Sequence, residues 1–191
     1  MRKLPCAIVL LLATFIFSCK ESENYWTKYE EWRKANNAFF VEQSANHEYQ
    51  KIYPAWDNSA YILMKYHTKG DASVPSPYLT STVDVKYRGT LYDGTPFDSS
   101  YTQTTYGDSI SRSKISEFIE GWQIALTRMH PGDSCTIIIP QNLGYGEQLY
   151  KTIYPYSTLI FDIKLVGIPT YERPQLKKEI RIESILSGFL F

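Results

Sequence analysis

Side chains that could attack a substrate, hold a metal or pass protons are few in this chain and stand apart. The three histidines, His47, His67 and His130, are scattered and show no metal-ligand spacing. Cys135 lies in the alternating segment Ser134–Ile139, has no Cys/His pattern around it, and reads as a small buried hydrophobe. What recurs is aromatic. Tyr87 closes the alternating run from Val83, and Phe161 alternates with polar neighbours from Leu159 to Leu165. Trp122 shares helical spacing with Ile119, Leu126 and Met129. Taken singly, each fits plain packing: Tyr87 and Phe161 as strand core, Trp122 as the buried face of a helix, Asp98 as the cap of a turn.

Their joint order says more. Three segments stand in sequence: Val85 to Ser100, reading VKYRGTLYDGTPFDSS; Phe118 to Leu126, reading FIEGWQIAL, followed by Met129 and Gly132; and Ile139-Pro140, Leu143-Gly144-Tyr145-Gly146 and Thr158 to Asp162. In identity, order and spacing they resemble the FKBP family over about residues 80–168. The resemblance implies an α+β fold, an antiparallel half-barrel sheet wrapped around one helix. It also implies a shallow aromatic pocket that isomerises X–Pro bonds.

Carried over by position, the site residues would be Tyr87, Phe97, Asp98, Ile119, Trp122, Tyr145 and Phe161, with Phe118 and Ile153 adding substrate contacts. Trp122 would form the floor under the proline ring. The Ile119 N–H and the Tyr145 hydroxyl would hold substrate carbonyls, and Asp98 would pair with the Tyr87 hydroxyl. Such a site requires no cofactor and no metal. Its partners would be proline-containing proteins or peptides. Departures from the family pattern keep a second reading open, a non-catalytic peptide-binding or chaperone module favoured by Ser111 and Ser113, whereas Phe118 could refill the pocket. Ser111 and Ser113 stand where the family places pocket aromatics, and Phe118 stands where it commonly has Val.

Several elements must position these residues. Tyr61 to His67 reads as a strand, and so does the run from Thr82, which ends in the turn Tyr92-Asp93-Gly94-Thr95. In that run Val83, Val85 and Tyr87 point one way and Asp84, Lys86 and Arg88 the other. Residues 99–113 read as a loop or irregular edge. A helix through Trp122 is closed by Pro131-Gly132, strands follow at Cys135–Ile139 and from Leu159, and Gln141–Tyr156 between them is a long loop. Residues 25 to about 41 form a helical extension with Tyr25, Tyr29, Trp32 and Phe39 on one side. That face needs a partner, either the main domain or a second copy in a homodimer, and the pattern does not choose.

The 191 residues divide into 1–18, a lipoprotein signal peptide; 19–58, a tether and N-terminal helix; 59–168, the main domain; and 169–191, a C-terminal tail. Arg2-Lys3 precede the apolar run Cys6–Phe17, which is short for a membrane span, and Ser18-Cys19 resembles a lipobox with Cys19 as the lipidated residue. This address implies a membrane-anchored protein of a Gram-negative cell envelope, most simply at the outer membrane. From Cys19 onward the chain has 18 basic and 20 acidic side chains, a balance that argues against a nucleic-acid partner. In the tail, Ile180, Ile182, Ile185 and Leu186 could make one more amphipathic segment.

Overall fold

The computed structural model describes residues 24–173. The leader, Cys19 and the tail positions Ile180 to Leu186 therefore lie outside the described residues. Seven strands form one antiparallel sheet: β1 (Gln50–Ile52), β2 (Ile62–Thr68), β3 (Thr82–Leu91), β4 (Pro96–Ser99), β5 (Ser111–Lys114), β6 (Ser134–Ile139) and β7 (Leu159–Thr170). The order is β1-β2-β6-β7-β3-β4, with β5 also pairing with β3. The edge beside β3 is thus shared. β4 covers Arg88–Thr90 and β5 covers Thr82–Val85, while the Ser- and Tyr-rich stretch between β4 and β5 loops out. The sheet begins before residue 59, because Gln50–Ile52 pairs with Ile62–Met64. This strand has only three residues, too short for alternation to show in the sequence.

Alternation decides which side chains meet. Ile62 and Met64, Val83, Val85 and Tyr87, Ile137 and Ile139, and Leu159 to Leu165 at every second position join one core cluster. Helix α3 (Glu120–Leu126) lies in the concavity of the sheet and adds Trp122, Ile124, Ala125 and Leu126 to the same cluster. Gly121 permits the close approach. A Cβ there would lie 2.5 Å from Ile139 Cγ2.

The outer face is covered as well. α1 (Tyr25–Lys28) and α2 (Glu30–Ala45) form the N-terminal extension, with a break at Tyr29. The aromatic side of this extension docks on the chain's own domain. Trp32 and Phe39 both meet Tyr92, and Phe40 meets Tyr61. Tyr61 belongs to the outer face by alternation, as do Leu63 and its cross-strand partner Ile138, and both of these are buried. Burial on two faces explains why β6 reads as a continuous apolar run. One charged position on that outer face is enclosed. Asp84 is buried because Arg112, across the β3–β5 pair, grips it with two bonds of 2.6 and 2.7 Å.

Candidate active site

The concave face opens beside the N-terminus of α3. There Trp122 is almost fully buried and is met by three rings. Tyr87 and Phe161 stand edge-on at 5.1 Å each, and Phe118 stacks at 4.9 Å. Edge-to-face packing sets the positive rim of one ring against the electron-rich face of another, which favours these perpendicular arrangements. The hollow above them measures about 200 Å³. Tyr87, Asp98, Phe118, Ile119, Trp122, Tyr145 and Phe161 line it, together with Glu117 and Tyr150.

Polar groups enter the hollow from fixed places. The Tyr87 hydroxyl donates to Asp98 Oδ2 at 2.9 Å, and Asp98 Oδ1 accepts from the Ser99 N–H at 2.8 Å. Burial first, and this carboxylate second, push the Tyr87 phenol far above the usual tyrosine range. Burial also pushes Tyr145 up to about 12, so both phenols stay protonated at neutral pH. Tyr150 stacks flat on Tyr145 at 4.2 Å.

Ile119 caps α3 in an extended conformation, and its carbonyl accepts from the N–H groups of Trp122 and Gln123. Its own N–H donates to no group among the described residues. The preceding turn is held rigidly. Phe118 N–H donates to the Ile115 carbonyl, and the Gln123 side chain donates to the Phe118 carbonyl at 2.7 Å. A free donor thus stands at the rim of an apolar hollow, next to a hydrogen-bonded turn.

Two residues named from the sequence do not line this hollow. Phe97 and Ile153 instead border a neighbouring cleft of about 40 Å³, which shares Asp98, Tyr145 and Tyr150 with the main one. Phe97 stands edge-on behind Phe161 at 5.3 Å. Both rings press on Gly89, where a Cβ would come within 2.8 Å of each. Ile153 is buried in the core cluster, and Phe97 packs against that cluster half-buried.

Two lining residues were missed. Tyr150 lies in the long loop, where no periodicity marks which side a residue faces; its reciprocal backbone bonds with Ile153, of 3.0 and 2.8 Å, set its place. Glu117 belongs to a 3-10 turn too short to show a face. Ser111 and Ser113 sit on β5 opposite Val85 and Val83 and contribute nothing to the lining.

Burial pushes the Cys135 thiol up to about 12, which leaves it protonated and unreactive. Among the described residues, no three metal-ligating side chains cluster.

Residues 74–166 match the family model described as FKBP-type peptidyl-prolyl cis-trans isomerase. This part of the chain is an FKBP-type domain. Similar proteins include FkpA of Escherichia coli K12, an FKBP-type peptidyl-prolyl cis-trans isomerase 36% identical over 111 residues, which cover 58% of this chain and 38% of the relative. The peptidyl-prolyl cis-trans isomerase Mip of Coxiella burnetii is 42% identical over 94 residues, covering 49% of this chain and 39% of Mip. The chain therefore spans about two fifths of the length of these relatives. Among solved structures, that of Escherichia coli FkpA superposes with a TM-score of 0.63 at 26% identity, over 75% of this chain and 64% of that one. A peptidyl-prolyl cis-trans isomerase from Pseudomonas syringae pv. tomato gives a TM-score of 0.61 at 28% identity, covering 73% of this chain and 95% of that one. The FKBP-type match begins at residue 74, after the N-terminal extension and the first two strands of the sheet.

Proposed function

We propose that the chain is a peptidyl-prolyl cis–trans isomerase acting on X–Pro bonds of exported proteins. The observation that carries this reading is the convergence of Tyr87, Phe118 and Phe161 on Trp122 beneath the unspent Ile119 N–H.

The reaction makes and breaks no bond. Its barrier, about 18–20 kcal/mol, is the resonance across the C–N bond, and resonance separates charge. Water favours the planar amide for that reason. A proline ring seated on Trp122 leaves water for an apolar enclosure, where the planar form loses that advantage and the twisted form fits. The Ile119 N–H and the Tyr145 hydroxyl would hold flanking carbonyls, so that rotation falls on one bond. Asp98 would keep the Tyr87 phenol turned into the rim.

Supports for the setting come from the sequence. Arg2-Lys3, the apolar run and Ser18-Cys19 fit a lipid anchor at Cys19, and none of the described helices is long and apolar enough to cross a membrane. The domain would then work on exported chains from the cell envelope, on the outer membrane in the simplest case. A homodimer through the N-terminal helix would have to use what docking leaves exposed, such as Val41; a monomer in sedimentation at working concentration rules it out.

A proline tetrapeptide assay tests the activity. The wild-type chain should accelerate isomerisation, and the double variant Tyr145→Phe with Phe161→Ala should lose most of the rate. No acceleration by the folded wild type removes the reading in favour of a module that only binds peptides.

A further inference from the structure

The loop that carries Tyr145 and Tyr150 is held from behind by a helix outside the matched FKBP-type residues. The far end of this loop, Pro155 to Thr158, is buried. Asn36 of α2 is fully buried there and accepts from the Thr158 N–H at 2.6 Å through Oδ1. The Asn36 backbone carbonyl accepts from Thr158 Oγ1 at 3.3 Å. Its amide cannot turn over, because Nδ2 donates to the Trp32 carbonyl at 2.8 Å. One turn earlier, Trp32 Nε1 donates to Ser157 Oγ at 3.0 Å, and that hydroxyl donates to the Tyr154 carbonyl at 2.7 Å.

The loop backbone between these anchors is strained. Tyr156 has φ +65°, a left-handed conformation that a bulky side chain rarely adopts. Its N–H donates to the Gly146 carbonyl at 2.8 Å, one residue from Tyr145, and its ring is buried edge-on against Trp26 at 5.6 Å. Nothing in the preference of a tyrosine supplies this conformation, so its surroundings must impose it.

We infer that α2 is a clamp for the substrate loop, and that Asn36 and Trp32 are positioning residues for isomerisation although neither lines the hollow. This rests on the isomerase reading. The route is short. Asn36 fixes Thr158, the buried segment from Pro155 fixes Tyr156, and Tyr156 ties down Gly146 beside Tyr145. Misplacement of a binding group by about 1 Å can cost about two orders of magnitude in rate. A loop free to relax Tyr156 would carry the Tyr145 hydroxyl off the carbonyl it is to hold.

The test uses the full chain and two readouts, hydrogen exchange at the loop amides of Tyr150, Ile153 and Tyr156, and kcat/KM on proline tetrapeptides. Trp32→Phe keeps an aromatic ring and removes the indole donor, whereas Asn36→Ala removes the acceptor of the Thr158 N–H. Tyr61→Phe is the control. It deletes the hydroxyl that donates to Ser44 Oγ at 3.2 Å, at the other end of the same helix. Both clamp variants should speed loop exchange about tenfold, the scale of one buried hydrogen bond, and lower kcat/KM several-fold, while exchange across β6 and β7 stays as in wild type. The control should change neither. Unchanged loop exchange in folded Trp32→Phe and Asn36→Ala overturns the clamp; should Asn36→Ala fail to fold, Trp32→Phe alone decides. Faster exchange with unchanged kcat/KM overturns the positioning role. A wild type without isomerase activity fails the functional reading on which that role rests, and loop exchange then still decides whether α2 clamps the loop.

Discussion

Helix α3 separates two apolar depressions that differ in equipment more than in character. The hollow at its N-terminal end encloses about 200 Å³. The groove on its other side, lined by Tyr53, Trp56, Tyr78, Tyr171 and three prolines with Ile124, Thr127 and Arg128, encloses about 450 Å³. Both are aromatic, but their polar groups differ. In the groove the Trp56 indole is spent on Glu120 and the Tyr171 hydroxyl on the Ser76 carbonyl, while Pro54, Pro75 and Pro77 have no N–H to offer. In the hollow a backbone donor is unspent, and a phenol–carboxylate pair stands at the rim. Volume alone therefore does not mark the site. Rotation about a resonant bond needs an apolar seat together with a few fixed donors, and the smaller depression combines them.

The sharpest way to break this comparison is to exchange its two tryptophans. Trp122 is 3% exposed and Trp56 is 52% exposed. Trp122→Leu should cut kcat/KM about 100-fold, or about 2.7 kcal/mol of transition-state preference, whereas Trp56→Leu should change it by less than about twofold, as expected of a surface residue away from the site. Tetrapeptide kinetics on folded protein decide. Equal losses would make the groove part of the active surface.

Gly121 seats α3, which borders both depressions, against Ile139. Alanine should gain about 1 kcal/mol of helix propensity, but the clash with Ile139 should cost about 1–3 kcal/mol. Net destabilisation of Gly121→Ala in urea unfolding is the expected result. A more stable protein would show that the helix can lift without loss.

A smaller effect sharpens the hollow itself. Tyr145→Phe removes one hydroxyl and leaves its ring on Tyr150. It should lower kcat/KM by roughly threefold to tenfold, the scale of one hydrogen bond, with stability nearly unchanged. An unchanged rate would leave binding to the rings alone.

The smallest effect is with pH. Burial raises the Tyr145 phenol in the folded state from its usual 10.0 to about 12, so folding favours the protonated form. Its contribution to stability is whole below about pH 10 and declines between about pH 10 and 12, as unfolded chains ionise first. Tyr145→Phe should therefore lose less stability than wild type between urea titrations at about pH 9 and about pH 11.

Most strands of this domain were legible because each has one face in the core, which writes a period of two into residues such as Val83, Val85 and Tyr87. The helix through Trp122 was legible for the same reason at its own period. The residues at the rim were not. Phe161 borders the main hollow while Phe97 borders the smaller cleft beside it, with the two rings packed edge-on over Gly89. Asp84 follows the polar face of its strand, yet lies buried under an arginine that pairs through the sheet.

By itself, the sequence determined the α+β class, the order of the elements and the three segments that mark an FKBP-type domain. These depend on local period, turn chemistry and residue identity, all of which survive in one dimension. Only the tertiary structure decided that the aromatic face of the N-terminal helix docks on its own domain, that Tyr150 and Glu117 join the hollow, and that Asn36 reaches Thr158. Those contacts join residues far apart in the chain, 122 positions for Asn36 and Thr158, or residues in turns and loops without period, and a side chain's partner across such a gap is set by the packed shape of the whole.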